Sequence, residues 1–291
     1  MNLFISTTFI KDACSLFDAL KICDENKINS IEIGSNHIYE PNYDYLKDFN
    51  MDYLIHNYFP VPKNSLVINI ASLNSEIRKK SINQIKKSIK YCSVIGASLY
   101  TFHAGFMSDP LGTNKSKLNY DFQWDESQIL NFNYKKATDL MYDSLDKIIN
   151  YASSLKIPIC VETQGSYGKK EHLLFQRPDE YNQFMDRYEP TDIGLNLNIG
   201  HLHLSANAFN YNWKDLVDSI SRYVFAMELS HNDGFEDQHL PLISEGWYWD
   251  LINDIRFKNI YKILEFRNTS IKDIVNNIEL IREKDLEYRN S

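Results

Sequence analysis

Short apolar runs alternate along the chain with longer stretches in which apolar residues recur every three or four positions. The short runs, rich in Ile, Val, Tyr and Phe, are typical of buried strands, whereas the longer periodicity indicates amphipathic helices. The predicted strands cover residues 3–6, 30–33, 51–56, 98–103, 157–162, 193–198, 223–229 and 259–265. The predicted helices cover residues 11–25, 75–95, 134–154, 178–187, 213–221, 246–254 and 271–282.

The order of these elements determines the expected fold. Strand and helix alternate almost regularly, which predicts parallel strands joined by right-handed crossovers. Eight such units close into a barrel. We therefore predict an α/β fold, a (β/α)8 TIM barrel, formed by a single domain over residues 1–291.

Two predicted connections are longer than the others. They cover residues 104–133 after the fourth strand and residues 163–177 after the fifth. Loops of this length often form lids or bind ligands. Phe106, Trp124 and Tyr167 therefore either shape a substrate pocket or belong to insertions packed on the outer helices.

Polar side chains recur where the predicted strands end, which is the face on which a barrel of parallel strands places its chemistry. These residues are His56, His103, Glu162, Asn198, His201, Glu228 and Glu265. Strand parity turns Glu228 into the barrel and Met227 towards the helices, and the same count turns His103, Glu162 and Asn198 inward. A single strand-end histidine or glutamate is usually just hydrogen-bonded or exposed. Repetition at the same relative position predicts one polar cluster, rich in the ligand types of a divalent metal.

Composition narrows the function classes. With 291 residues and 43% hydrophobic content, the chain can bury a large core as one domain. The formal net charge of −8 disfavours nucleic acid, so we expect a small-molecule substrate. Four cysteines without a Cys-x-x-Cys pair are expected to stay reduced. The start of the chain has no basic leader and no apolar run is long enough to span a membrane, which predicts a cytoplasmic protein.

Several short motifs follow one another between His56 and Glu265. They read Leu54-Ile-His56-Asn-Tyr, Phe102-His103-Ala-Gly-Phe, Val161-Glu162-Thr-Gln-Gly, Asn198-Ile-Gly-His201, Glu228-Leu-Ser-His231-Asn-Asp-Gly, Asp237-Gln-His239-Leu-Pro-Leu and Leu264-Glu265. In this order they resemble the motifs of the xylose-isomerase-like TIM-barrel superfamily, which joins sugar and sugar-phosphate isomerases and epimerases to endonuclease IV. The resemblance implies a metal-dependent sugar or sugar-phosphate isomerase or epimerase.

In the epimerase branch, the resemblance implies one divalent ion held at four strand ends. The matching positions are Glu162, Asn198, Glu228 and Glu265. Asn198 stands where the family has Asp, and Glu228 stands where the family has His, so the formal charge of the set is unchanged while every ligand becomes oxygen. Oxygen donors suit Mn²⁺ or Mg²⁺ better than Zn²⁺. The alternative is a metal-free barrel that still binds sugars.

A further set matches positions that complete a three-zinc cluster in endonuclease IV. It consists of His56, His103, His201, Asp237 and His239. The resemblance therefore also allows an abasic-site DNA endonuclease that uses Zn²⁺. The acidic net charge and the absence of a dense Lys/Arg run in the loops argue against this function. His231 is a substitute metal ligand if its loop shifts, although its parity places it off the inner face.

The resemblance also implies roles in proton transfer and substrate binding. Isomerising a ketose removes a proton next to a carbonyl, so a base must act while a metal or strong donors neutralise the enolate. Glu162 and Glu265 are the expected catalytic pair. The residues expected to bind the carbohydrate are His56, His103, His201, Trp124 and Arg267. Arg267 would bind an anionic group such as phosphate or would form a surface salt bridge. A homo-oligomer is compatible with this kind of barrel.

Overall fold

The computed structural model describes residues 2–10, 14–34, 36–64, 66–115, 120–124 and 133–290. Its strands are β1 (Asn2–Ser6), β2 (Ser30–Ile33), β3 (Asp52–His56), β4 (Tyr100–His103), β5 (Gly112–Lys115), β6 (Tyr120–Gln123), β7 (Ile159–Glu162), β8 (Gly194–Asn198), β9 (Val224–Leu229) and β10 (Tyr261–Leu264). Eight of these strands, all parallel to their neighbours, close into a barrel in the order β1-β10-β9-β8-β7-β4-β3-β2, while β5 and β6 form an antiparallel hairpin. The predicted TIM barrel is confirmed.

The helices of the described residues surround this barrel. They are α1 (Leu16–Glu25), α2 (Ser75–Ile95), α3 (Tyr134–Leu155), α4 (Pro178–Arg187), α5 (Ile199–Phe209), α6 (Trp213–Ile220), α7 (Trp249–Ile252) and α8 (Ile271–Asn290). Side-chain caps explain several of the starting points. The Ser15 hydroxyl accepts from the Asp18 backbone N–H at α1, and the Asn74 side chain accepts from Glu76 N–H at α2. Pro178 opens α4, where its missing N–H would have had no helical partner.

Helix α5 is the main difference from the sequence prediction, which placed no helix between the strand over residues 193–198 and the helix over residues 213–221, and which counted His201 among the strand-end residues. The spacing of Ile199, Leu202 and Leu204 does not separate strand from helix over so short a stretch. The cap decides, because Asn198 ends β8 and its Oδ1 accepts from His201 N–H at 3.1 Å. His201 therefore lies on the first turn of a helix and not at the end of a strand.

Smaller differences concern loops and helix ends. The helix predicted over residues 246–254 is only the single turn α7, and α1 begins after Cys14 instead of at residue 11. The long connections after β4 and β7 are present, although residues 116–119 and 125–132 of the first lie outside the described residues. The four cysteines are free, as predicted. No helix in the described part of the chain combines the length and the apolar character that crossing a membrane requires.

The barrel interior has an apolar layer and, above it, a polar layer. The apolar layer consists of Phe4, Leu54, Leu99, Cys160, Ala226 and Ile263. The polar layer consists of Ser6, His56, Thr101, Glu162, Glu228 and Glu265. Each of these residues comes two positions after a residue of the apolar layer and lies on the same inward face. The intervening residues, such as Ile55 and Met227, pack outward with the helices. The barrel is thus filled by apolar side chains up to the level where its chemistry begins.

Candidate metal and active site

The mouth of the barrel carries a ring of polar side chains from successive strands. It consists of Ser6, Glu32, His56, Thr101, His103, Glu162, Asn196, Asn198, Glu228 and Glu265. All are buried except His103, which is partly exposed. The parallel register sets His103 beside Glu162 and Asn198 beside Glu228. Residues remote in sequence therefore converge on one side of the barrel.

Three of these side chains form what we call the strand trio: His56, His103 and Glu162. One ligand atom from each lies within 4.8 Å of the others. Glu162 Oε2 is 3.6 Å from His103 Nε2 and 3.7 Å from His56 Nε2. Among the described residues, this buried oxygen has no hydrogen-bond partner. Two imidazole nitrogens and an unpartnered carboxylate oxygen at this spacing fit a divalent ion bonded to each at about 2 Å.

A second group, the loop trio, consists of His201, Asp237 and His239. It also has one ligand atom per residue within 4.8 Å of the others. Asp237 Oδ1 is 3.0 Å from His239 Nε2, and Asp237 Oδ2 is 3.7 Å from His201 Nε2. The first turn of α5 supplies His201, whereas Asp237 and His239 come from the loop after β9. His239 adopts φ +47°, and its Nδ1 lies 3.2 Å from Glu265 Oε2.

Asn198 is held between two of the carboxylates. Because its Oδ1 caps α5, its Nδ2 is left to donate to Glu162 Oε1 at 3.0 Å and to Glu228 Oε2 at 2.8 Å. Asn196 Nδ2 donates to Glu228 Oε1 at 2.6 Å. The amide groups therefore separate Glu162 from Glu228, which is a different arrangement from four oxygens around one ion.

Glu265 belongs to the neighbourhood of the loop trio. Its Oε2 is 3.2 Å from His239 Nδ1, and its charge also couples to that of Glu162. Arg267 lies at the edge of the mouth, where its Nη1 is 4.0 Å from Asp237 Oδ2 and its side chain is 25% exposed. The two expected catalytic carboxylates thus lie in one polar cluster, each against histidine nitrogens.

The two trios differ in protonation. Burial, with the neighbouring rings of His56 and His201, lowers the pKa of His103 to about 4 although Glu162 opposes the shift. Burial and Arg267 also act to lower the pKa of His239, but Asp237 and Glu265 outweigh them and raise it to about 9. Burial opposes ionisation of Glu162, yet the imidazoles of His103, His201 and His56 bring its pKa well below the usual range.

Of the remaining predicted residues, Trp124 lies beside this cluster and His231 does not. The Trp124 ring stacks on His172 with centroids 4.5 Å apart and meets the edge of Phe106, which in turn lies 6.5 Å from the His103 ring. Trp124 therefore forms part of an aromatic wall next to the strand trio. His231 is different: its ring lies 6.0 Å from that of Tyr248, outside the groups of potential ligands found in the described residues.

Sequence reasoning gave no functional role to four members of the polar ring: Ser6, Glu32, Thr101 and Asn196. Each has inward parity on its strand, and Glu32 stands out as a lone acidic residue in the run Ser30-Ile-Glu32-Ile33. The signal was an acidic residue on the inner face of a buried strand. It was missed because Glu32 lies one residue before the strand end.

Comparison with known proteins adds to this geometry. A family profile described as xylose isomerase-like TIM barrel matches residues 42–287. An uncharacterized protein of Methanocaldococcus jannaschii is 23% identical over 290 residues, which cover 97% of this chain and 99% of the relative. A probable endonuclease 4 of Aquifex aeolicus is 26% identical over 129 residues, covering 40% of this chain and 43% of the relative.

Solved structures share the same architecture. The crystal structure of a D-tagatose 3-epimerase-like protein superimposes with a TM-score of 0.75 and 20% sequence identity, covering 100% of this chain and 98% of the other. At this level of identity, the likeness shows the fold alone.

Proposed function

Because the chain belongs to the xylose isomerase-like TIM barrel family, we propose that it is a metal-dependent isomerase or epimerase of a small carbohydrate, either a sugar or a sugar phosphate. The similarity in fold to a D-tagatose 3-epimerase-like protein supports this substrate class. The net charge of −8 agrees with a small substrate better than with a nucleic acid. A cytoplasmic location and an association of chains remain predictions.

The observation that carries the proposal is the pair of buried carboxylates, Glu162 and Glu265, in one cluster at the barrel mouth. Histidine nitrogens hold the pKa of Glu162 well below its usual range and lower that of Glu265 to about 2, against the effect of burial. Both groups are therefore ionised at neutral pH and can accept a proton. In an epimerisation, one carboxylate would remove the proton beside the carbonyl and the other would return a proton to the opposite face.

Carboxylates with such low pKa values are weak bases, so the carbon acid must be made stronger. The strand trio and the loop trio would hold divalent ions, and an ion in this position supplies charge that neutralises an enolate oxygen. Two histidines and one carboxylate in each trio suit Zn²⁺ or Mn²⁺ better than Mg²⁺. Where they do not bind metal, His56, His103 and His201 would orient substrate hydroxyls. Arg267 would bind an anionic group of the substrate.

A second function, cleavage of DNA at abasic sites, is favoured by one specific observation. The two trios adjoin, since Glu162 of the strand trio lies 3.1 Å from His201 of the loop trio, and two neighbouring metal positions are a common arrangement in enzymes that hydrolyse phosphodiesters. The partial match to a probable endonuclease 4 points in the same direction. The acidic charge of the chain opposes DNA binding unless a local basic surface compensates.

The decisive experiment compares the two reactions on one preparation. The untreated protein is analysed for metals and incubated in heavy water with a panel of ketoses and ketose phosphates, and the same protein is given abasic-site DNA. We expect bound metal and deuterium incorporation beside the carbonyl of at least one sugar, with the exchange greatly reduced in Glu162→Gln.

Cleavage of abasic DNA without exchange into any sugar would replace the proposal with the endonuclease function. Sugar binding that needs no metal and that survives Glu162→Gln would instead indicate a binding protein on a barrel without catalysis.

A further inference from the structure

Within the polar ring, a second pair of carboxyl groups approaches inside the barrel. Glu32 on β2 and Glu228 on β9 are both completely buried. One oxygen of each lies with a ring nitrogen of His56 in a group whose atoms are all within 4.8 Å of one another. We call Glu32, His56 and Glu228 the deep trio.

Glu32 lacks the partners that a buried carboxyl group needs. Among the described residues, neither of its oxygens has a hydrogen-bond donor. Ser6 pairs with Glu32 in the strand register, and its hydroxyl is close enough to act to lower the pKa of Glu32, but it lies outside hydrogen-bond geometry. A buried carboxylate without a donor or a cation is strongly destabilising. Native proteins nearly always satisfy such a group with a donor, a water molecule or an ion.

In the part of the chain that the structure describes, the surroundings of Glu228 supply oxygen atoms but no lysine or arginine side chain. In the described residues, Glu228 and Glu32 form no ion pair with a lysine or an arginine, and only His56 Nδ1 approaches, at 3.6 Å from Glu228 Oε1. Asn196 and Asn198 each donate one hydrogen bond to Glu228, which leaves a further lone pair on each carboxylate oxygen. The amide oxygen of Asn196 is also buried, with no hydrogen-bond partner in the described chain.

His56 lies between the deep trio and the strand trio. Its Nε2 faces Glu162 and its Nδ1 faces Glu228, at 3.7 and 3.6 Å. A neutral imidazole has a single nitrogen lone pair, so His56 can be a metal ligand on one side only. The other nitrogen then carries a proton, which Nδ1 can donate to Thr101 Oγ1 at 2.9 Å.

We propose that Glu32 and Glu228 bind a divalent cation inside the barrel, with His56 Nδ1 as a third ligand, at a site separate from the strand trio and the loop trio. The oxygen-rich surroundings select Mn²⁺ or Mg²⁺ over Zn²⁺. The ion neutralises the buried carboxylates and sets the tautomer of His56. Zn²⁺ at the strand trio, bound through His56 Nε2, removes the third ligand and weakens the deep site.

Anomalous diffraction at the manganese edge locates the ion. Crystals of the full chain are stripped of metal with a chelator and soaked in MnCl₂, for the wild type and for Glu32→Gln, which keeps the side-chain volume but removes the charge. We expect a manganese peak bonded to oxygens of both Glu32 and Glu228 in the wild type. The peak disappears in Glu32→Gln, while peaks at the strand trio or the loop trio remain.

Thermal unfolding with increasing Mn²⁺ provides the measurement in solution. Mn²⁺ raises the Tm of the wild type, and we expect Glu32→Gln and Glu228→Gln to lose at least about 10-fold in the affinity for Mn²⁺ that this rise reports. Glu25→Gln is the matched control, since the Glu25 side chain is 62% exposed on α1, and it should respond as the wild type does. Without metal, Glu32→Gln should melt no lower than the wild type, because the amide replaces a buried carboxyl group whose oxygens have no hydrogen-bond donor among the described residues.

The proposal fails if manganese fills the two other trios but leaves no peak between Glu32 and Glu228. It also fails if both variants respond to Mn²⁺ as the wild type does. A change in the pH dependence of Tm, with an unchanged response to Mn²⁺, would assign a shared proton to the pair in place of the ion. The test is independent of the proposed reaction: a peak at the deep trio alone would support this site while removing the metal from the proposed isomerase mechanism.

Discussion

The strand trio and the loop trio contain the same residue types, two histidines and one carboxylate, but their charge environments are opposite. In the strand trio, Glu162 is one carboxylate facing three imidazoles, those of His56, His103 and His201. In the loop trio, His239 lies between two carboxylates, Asp237 and Glu265. The ratio of carboxylates to imidazoles, more than the ligand list, therefore determines whether each group is ready to bind metal at neutral pH.

The supports of the two trios differ as well. The strand trio is attached to the ends of β3, β4 and β7, whose neighbours in the barrel fix their positions. The loop trio combines a helix turn with a loop whose Asp237 side chain is 28% exposed. A metal bound to the loop trio would therefore join a loop to the first turn of α5, whereas one bound to the strand trio would find its ligands held by the barrel strands.

The largest expected effect comes from Glu162, because it contacts histidines of both trios. Glu162→Gln keeps the volume but removes the base and a charged ligand, so proton exchange into the substrate should fall about 10²- to 10⁴-fold. The rate of deuterium exchange into the substrate in heavy water measures this loss. Glu76→Gln, on the first turn of α2, is the surface control. A variant with unchanged exchange would remove Glu162 from the mechanism.

The pH dependence of metal binding separates the trios directly. His239, with a pKa of about 9, is protonated at pH 7, and, against the effect of burial, Asp237 and Glu162 raise the pKa of His201 well above its usual value. Both imidazoles must lose a proton to bind an ion, so the zinc affinity of the loop trio should rise by up to about 100-fold per pH unit until pH 9. His103, with a pKa of about 4, is already neutral and adds no such dependence to the strand trio.

Competition with a zinc chelator measures the zinc affinity of each trio in a variant in which the other trio has lost one ligand. His103→Gln leaves the loop trio, and Asp237→Asn leaves the strand trio. Equal pH profiles in the two variants would contradict the assigned difference in protonation.

A substitution of Asn198 tests whether its amide hydrogen bonds stabilise the site when no ion is bound. Asn198→Asp preserves an acceptor for the cap of α5 but replaces the amide donor between Glu162 and Glu228 with a third negative charge. We expect the metal-free variant to lose about 1–3 kcal/mol in the free energy of unfolding, measured with urea. Added Zn²⁺ or Mn²⁺ should restore more stability to the variant than to the wild type. No loss in the metal-free state would mean that the amide bonds contribute little.

The smallest expected effect concerns Arg267, which acts to lower the pKa of His239. Arg267→Gln should raise the pKa of His239 further, yet it should strengthen zinc binding by the loop trio about 2- to 5-fold at pH 7, because loss of a neighbouring positive charge favours a divalent ion more than the single proton it displaces. The change is modest because the guanidinium is partly exposed. If Arg267 also binds a substrate anion, KM should rise for a sugar phosphate and not for the free sugar. An unchanged ratio of the two KM values would leave Arg267 with the electrostatic role alone.

Several elements of the fold were readable directly from the sequence. The apolar runs located the barrel strands, and α2 and α4 begin and end at the predicted residues. Strand parity also turned Glu162 and Glu228 inward, since alternation along a strand is a local property. Helix α5 escaped prediction because its start depends on whether one side chain, that of Asn198, bonds the backbone ahead of it or a ligand in the barrel.

The sequence by itself determined the periodicity of the elements, the inward face of each strand and hence the set of polar residues at the mouth. Tertiary structure decided how those residues group. Glu162 faces histidines from three elements, Asn198 points its amide at two glutamates, and Glu32 meets Glu228 from another strand of the closed barrel. The reason is physical: periodicity fixes direction relative to a strand, whereas partners, burial and pKa depend on distances across the barrel that no local pattern encodes.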